Sequence, residues 1–219
     1  MNKCLKRAFT LSEIMIVIGI LGVVAVLALP SLNSSVDSDK NVVLLREAKN
    51  QIDSAFARII EKYGSLEEAC GTPTDDNTYT VCVANKLKEQ LKVEKDTNDS
   101  FDTSMISKMN LYASSAFLLS NGIAVCTILP PYHSQDDNAK RMIFIDIDGP
   151  DNGENYYGKD IFWFYIGEDG LEYRSSGGRG SHKAFETVKD EAEWAIVVGN
   201  QDYLNCPGSL VWGQKESCN

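Results

Sequence analysis

The chain has 219 residues, of which 43% are hydrophobic, and a formal net charge of -10 at pH 7. This length predicts one or two domains. The acidic balance argues against a general phosphate-binding surface, because non-specific nucleic-acid binding depends on cations that neutralise phosphates. We therefore infer no nucleic-acid partner.

The chain begins with a short basic leader followed by an apolar stretch. The leader carries Lys3, Lys6 and Arg7 and no acid, and residues 14–29 contain no charged side chain. A helix over residues 9–29 would be about 31 Å long, close to the hydrocarbon thickness of a bilayer. The positive-inside rule then keeps the leader in the cytoplasm and exports the rest of the chain.

Glu13 lies at the head of this apolar stretch and limits what the stretch can be. The alternatives are a secretory signal ending at the small-residue site 26–28 and a plain membrane anchor, and a carboxylate at the head of the stretch helps neither. An acid inside a membrane costs about 2.5–3.5 kcal/mol at the centre and less near an interface. A retained acid at this position therefore needs a partner.

Residues 9–13, Phe-Thr-Leu-Ser-Glu, stand behind the basic leader and ahead of the apolar stretch, and they resemble the N-terminal signal of type IV pilins and type II secretion pseudopilins. The resemblance implies that a prepilin peptidase cuts between Ala8 and Phe9 and methylates the new amine. Ala8 stands where the family usually has Gly. The resemblance also implies that Glu13 faces the cationic amine of a neighbouring subunit, so that Phe9 and Glu13 guide assembly.

Pro30 follows the apolar stretch and lacks a backbone N–H, so it is expected to kink or loosen the helix. In the family, a proline here marks where the helix can stretch within the filament, and we include Pro30 among the assembly residues. Apolar residues recur with a period of 3.6 over residues 42–63, which predicts an amphipathic helix that continues the first one and ends at Gly64. Its apolar stripe is expected to pack on a sheet.

Hydrophobic runs separated by turn residues follow in the C-terminal part of the chain. Asn121-Gly122 predicts a tight hairpin turn. A helix is expected at residues 83–91, and the predicted strands cover residues 115–119, 123–129, 142–147, 161–166 and 171–174. The aromatic strand at 162–165 presents Trp163 and Tyr165 either as a binding platform or, more simply, as one side of a strand buried on both faces.

The cysteines favour disulfide bonds, because no C-x-x-C pair suggests zinc or redox chemistry and export permits oxidation. The local pairs Cys70 with Cys82 and Cys206 with Cys218 each close a short loop, although the sequence does not fix the pairing. Cys126 is left over in an apolar strand pattern, which predicts a buried free thiol.

One polar loop is a candidate ligand site. Its oxygen donors Asp146, Asp148, Asp151 and Asn155, followed by Asp160, suit calcium, which accepts irregular oxygen ligands. The register does not fit an EF-hand. The alternative is a hydrogen-bonded turn built from Asp, Asn, Gly and Pro.

These patterns predict an α+β protein with a long N-terminal helix, half transmembrane and half amphipathic, packed on an antiparallel sheet. The predicted divisions are residues 1–8 (leader), 9–30 (membrane and filament-core helix), 31–63 (amphipathic helix) and 64–219 (a pilin-like head with disulfide loops). His133 and His182 are the only histidines and lie in no catalytic or zinc-binding pattern, so we expect no enzymatic activity. No cofactor is expected apart from the calcium candidate.

The resemblance implies a filament subunit held first in the bacterial inner membrane by one helix and then in a type IV pilus or a secretion pseudopilus. The partners it implies are the prepilin peptidase, the inner-membrane assembly platform, the lipid bilayer and like subunits. The alternative function is that of a membrane-anchored extracytoplasmic binding protein that does not assemble.

Overall fold

The computed structural model describes residues 11–71, 77–96, 112–129, 142–152, 155–173, 184–185 and 191–218, without the side chains of residues 13, 22–36, 112–114 and 129. The predicted leader and cleavage site, including Ala8 and Phe9, lie outside the described residues, as do His133 and His182. The backbone at Glu13 and Pro30 is described, but their side chains are not.

The chain divides into two compact units, residues 1–38 and 39–219. Helix α1 spans Leu11–Tyr63, and its backbone stays helical through Pro30. It ends where the sequence predicts, at Gly64, whose φ of 90° suits a residue without a side chain and whose N–H donates to the Ile60 carbonyl at 2.8 Å. The remaining helices are α2 (Leu66–Cys70), α3 (Asn77–Gln90), α4 (Glu191–Val197) and two 3-10 turns, Asp202–Leu204 and Pro207–Ser209.

Six strands form one antiparallel sheet in the second unit, and each strand pairs with the next one along the chain. The strands are β1 (Val93–Lys95), β2 (Tyr112–Leu119), β3 (Ala124–Leu129), β4 (Met142–Asp146), β5 (Ile161–Ile166) and β6 (Leu171–Glu172). The predicted hairpin turn joins β2 to β3, and Gly122 in it has a φ of 89°. The α+β class and the antiparallel sheet are as the sequence predicts.

Alternation along the strands gives the sheet two apolar faces. One buried cluster contains the first face of the sheet together with the apolar stripe of α1 that begins at Val42. From the sheet, this cluster includes Phe117, Val125, Ile143 and Phe162. Beside this cluster the half-buried carboxylate of Asp53 accepts a hydrogen bond from the Leu171 backbone at 2.9 Å, so a polar contact also links α1 to β6. The amphipathic half of α1 therefore shares its core with the sheet.

The second face carries a separate buried cluster, in which Cys126 lies opposite Phe144 and Phe144 lies opposite Trp163. Trp163 and Tyr165 are half-buried and pack against their aromatic neighbours, with 6.0 Å between the ring centroids of Trp163 and Phe144. The two-sided burial predicted for this strand is confirmed. Cys126 is a buried free thiol, as predicted, and burial raises its pKa to about 12.

Several short elements differ from their predicted bounds. The sequence predicts neither α2 nor β1, and α3 begins six residues before its predicted start. Strand β1 has only three residues, two of them the charged Glu94 and Lys95, and it pairs at the edge with β2. A run this short and polar has no alternation to detect, because its place depends on the neighbouring strand.

Both predicted disulfides are present. Cys70 is bonded to Cys82 and Cys206 to Cys218, with Cα–Cα distances of 5.7 and 5.8 Å. The second bond holds the C-terminal segment, where the Cys218 N–H also donates to the Asp202 carboxylate at 2.8 Å.

Replacing Cys206 and Cys218 together by serine is expected to lower the free energy of unfolding by about 3 kcal/mol, because the open chain regains loop-closure entropy. Urea unfolding of the oxidised full-length protein in detergent measures the change. Cys126→Ala is the matched control and retains both bonds. A Cys126-containing disulfide in the non-reducing peptide map of the wild type would contradict the assignment.

Candidate functional site

The loop that joins β4 to β5 contains the predicted oxygen ligands. Asp146 ends β4 on the same face of the sheet as Phe144, so strand alternation directs its side chain into the protein, where it is fully buried. Its Oδ1 accepts hydrogen bonds from the backbone N–H groups of Gly149 at 2.9 Å and Asp148 at 3.3 Å. The first half of the loop is thus an Asp-centred turn, as the hydrogen-bonded-turn alternative predicts.

The turn accounts for only one oxygen of this carboxylate. Asp146 Oδ2, Asp148 Oδ1 and Asn155 Oδ1 are buried and have no hydrogen-bond partner among the described residues. All three residues are among the calcium ligands that the sequence predicts. The fourth predicted ligand, Asp151, is exposed and forms no part of this buried group.

Burial and nearby negative charge raise the pKa values of two acids in the loop. Burial raises the pKa of Asp146 to about 7, and the negative charge of the nearby Asp148 carboxyl raises it further. Burial also raises the pKa of Asp160, again with a contribution from the charge of Asp148. The charge of Asp148 therefore acts on both of the other carboxyl groups.

Asp160 closes the second half of the loop. Its Oδ1 accepts the Tyr156 N–H at 2.6 Å, and its carbonyl accepts the Ile147 N–H at 2.9 Å, next to the end of β4. These two bonds bring Asn155, the residue before Tyr156, to the same end of the loop as Asp148.

Gly149 lets the loop pack against the turn between β2 and β3. It has a φ of 88°, and a Cβ there would lie 2.5 Å from the Gly122 carbonyl oxygen. Any side chain at this position would push the loop away from the turn. The close approach fixes the backbone that presents Asp146 and Asp148.

The loop also joins three parts of the second unit. The Gly158 carbonyl accepts hydrogen bonds from Tyr203 Oη at 2.6 Å and Gln201 Nε2 at 3.1 Å. The next carbonyl, of Lys159, accepts Asn41 Nδ2 of α1 at 3.1 Å and Gln201 Nε2 at 2.7 Å. The sequence offers no local signal for these partners, since they are separated from the loop by more than 40 positions.

No group of three or more His, Cys, Asp and Glu side chains in the described part of the chain is arranged to hold a metal ion. Any cation at the loop would therefore need amide or backbone oxygens beside the carboxylates of Asp146 and Asp148. Calcium accepts such mixed oxygen ligands.

The first unit presents a different surface. From Ile14 to Ile18 five consecutive apolar side chains of α1 are exposed, each by about half or more of its area, and Leu11, Ile20 and Leu21 are exposed as well. Five consecutive helical positions cover every side of the helix. Within the described residues, no helix meets the length and hydropathy expected of a membrane span.

Comparison with known proteins bears on this N-terminal region alone. The searches of curated proteins and of solved structures gave no significant match. Residues 4–29 match the family model of the prokaryotic N-terminal methylation motif. This match confirms the resemblance found in the sequence: the chain carries the signature of the prepilin-type signals of type IV pilins and pseudopilins.

Proposed function

We propose that this chain is a structural, non-enzymatic subunit of a type IV filament, either a pilus or a type II secretion pseudopilus. The observation that carries the proposal is the methylation motif at residues 4–29, which contains the junction between Ala8 and Phe9 and the acid Glu13. In this proposal the prepilin peptidase removes residues 1–8, and the subunit waits in the inner membrane as a single-pass protein. The assembly platform then moves it into the filament.

The exposed apolar surface of α1 supports the proposal. Side chains such as Leu11, Met15 and Ile18 are more than 60% exposed, and so large an apolar surface marks contact with lipid or protein. Lipid before assembly and the helices of like subunits afterwards would each cover it. A contact that repeats without closing produces a helical filament.

The structure of the second unit supports the proposal that it is an exported, pilin-like head. The amphipathic part of α1 shares one apolar cluster with the antiparallel sheet, and the two disulfides suit an oxidising compartment. A head of this kind would remain outside the membrane while the N-terminal part of α1 enters the filament core.

Intact-mass analysis of the protein purified from its native membrane tests the proposal. The expected mature chain begins at a methylated Phe9 and lacks residues 1–8. An uncut chain beginning at Met1 would reject filament assembly and favour the membrane-anchored binding protein. Expression with and without an active prepilin peptidase is the control, since only peptidase-dependent cleavage identifies the signal.

A further inference from the structure

The turn between β2 and β3 carries an asparagine that is followed directly by a glycine. Asn121 is exposed, and no described residue other than the chain neighbours of Gly122 comes within 4 Å of the place where a Cβ at Gly122 would lie. Two backbone hydrogen bonds form the turn, from the Gly122 N–H to the Leu119 carbonyl at 2.9 Å and from the Leu119 N–H to the Ile123 carbonyl at 2.8 Å. The proposed function does not involve this pair.

An Asn-Gly pair is able to lose ammonia without an enzyme. The backbone nitrogen of the glycine attacks Cγ of the asparagine, and the new C–N bond closes a succinimide ring. The proton of the attacking nitrogen passes through water to the side-chain nitrogen, which leaves as ammonia. Water then opens the ring at either carbonyl and gives aspartate or isoaspartate. Glycine favours the reaction because its nitrogen approaches without hindrance from a Cβ.

In the folded turn both reacting groups are held by hydrogen bonds. The Gly122 N–H, which has to lose its proton, donates to the Leu119 carbonyl. The Asn121 amide, which has to rotate towards that nitrogen, donates from Nδ2 to Gln51 Oε1 of α1 at 3.0 Å. The reaction therefore requires that the turn opens and that the Asn121 side chain leaves Gln51.

Water reaches the reacting groups along an open groove between α1 and this turn. The groove is lined by polar side chains, namely Glu47, Asn50, Gln51, Ser54 and Asn121. Because the groove is open to solvent, burial does not protect the amide. The hydrogen bond from Asn121 to Gln51 is the contact that holds the side chain in place.

We propose that Asn121 is a site of spontaneous deamidation and that Gln51 slows the reaction by holding the Asn121 amide. Gln51 is a positioning residue, since it takes no part in the bonds that form and break. The site lies in the second unit and does not depend on filament assembly.

The product would alter the packing around the turn. Isoaspartate runs the main chain through the former side chain and so lengthens it by a carbon atom. The Gly122 carbonyl oxygen lies so close to Gly149 that a Cβ there would be only 2.5 Å away. A lengthened turn would therefore shift this carbonyl against the β4–β5 loop. Either product also adds a negative charge to the groove that contains Glu47.

Incubation of the oxidised full-length protein in detergent at mildly alkaline pH, followed by peptide mapping, tests the site. The peptide that contains Asn121 is expected to gain the mass difference between an amide and an acid and to split into aspartate and isoaspartate forms. The other Asn-Gly pair, at residues 152–153, is the internal reference. In urea, where the contact with Gln51 is lost, the two pairs are expected to react at similar rates. An Asn121 that stays intact in urea while the reference pair converts would overturn the site.

Three variants test the role of Gln51. Gln51→Ala is expected to increase the rate at Asn121 about fivefold, the effect of one lost side-chain hydrogen bond on a local opening equilibrium. Gln51→Glu keeps an acceptor oxygen for Asn121 Nδ2 and is expected to retain the wild-type rate. Asn50→Ala, at the adjacent position in the same groove, is the matched control and is also expected to retain it.

The reference pair separates a local effect from a general loosening of the fold. In Gln51→Ala the rate at residues 152–153 is expected to stay unchanged. An unchanged rate at Asn121 in Gln51→Ala, or an equal increase at both pairs, would overturn the protective role of Gln51.

Discussion

Trp194→Ala is expected to lower the free energy of unfolding by about 3–5 kcal/mol, the usual cost of truncating a fully buried aromatic side chain. Trp194 is 0% exposed. Its ring packs edge-on against Phe185 and Trp212, with ring centroids 5.1 and 4.6 Å away, and its Nε1–H donates to Asn200 Oδ1 at 3.1 Å. Alanine would leave a cavity and would also remove one of the two donors of the Asn200 amide oxygen, which would keep only the Asp202 N–H.

Chemical unfolding of the oxidised protein in detergent measures this cost. Leu204→Ala is the matched control, because Leu204 is 45% exposed and lies in the same C-terminal region. Surface substitutions of this kind usually change stability by less than about 0.5 kcal/mol. A loss below about 1 kcal/mol for Trp194→Ala would mean that the aromatic group around it does not hold the C-terminal segment to the core.

Strands β3, β4 and β5 were predictable because each is a dense apolar run bounded by turn residues. The predicted bounds of β5 are those of the structure, and β3 and β4 differ by one residue. Their neighbours bury them on both faces, so the continuous apolar runs typical of such strands are visible in the sequence.

In contrast, α4 is seven residues long and contains Glu191 and Glu193, both buried. Only its tertiary contacts make so short and acidic a segment a helix.

The candidate site shows the same limit. The density of acids between β4 and β5 identified the loop, and strand parity explains why Asp146 points inward. Nothing local distinguishes Asp148, which has a buried oxygen, from Asp151, which is exposed. That difference arises where Gly149 packs on the Gly122 carbonyl and fixes the path of the loop. Packing between two turns about 27 residues apart is not encoded in the spacing of the acids.

The N-terminal signal is the opposite case, because its information is entirely local. The order of the basic leader, Phe9, Glu13 and the uncharged residues 14–29 is sufficient to identify it, and the family match over residues 4–29 rests on the same stretch. In the proposed function, a peptidase acts on the membrane-inserted precursor and meets this segment before any filament contact exists. The peptidase therefore has to recognise such a signal from its local sequence, without the tertiary structure.

Glu13→Gln is expected to leave insertion and cleavage unchanged but to abolish incorporation into filaments. In the proposed assembly, the Glu13 carboxylate pairs with the Phe9 amine of a neighbouring subunit in the apolar filament core. Removing one partner of a buried ion pair leaves the other charge uncompensated, which costs about 3–5 kcal/mol. That cost recurs at each subunit added, so a filament of the variant would not grow.

The measurement is the fraction of mature protein recovered in sheared surface filaments, or in isolated pseudopili, relative to the membrane fraction. Glu13→Asp keeps the charge on a shorter side chain and is expected to retain partial incorporation, whereas Ile14→Val, a conservative change at the adjacent exposed position, is expected to behave as the wild type. Because glutamine has nearly the shape of glutamate, a defect confined to Glu13→Gln would identify the charge as the cause. Wild-type incorporation of Glu13→Gln would mean that the acid serves a purpose other than pairing with the amine.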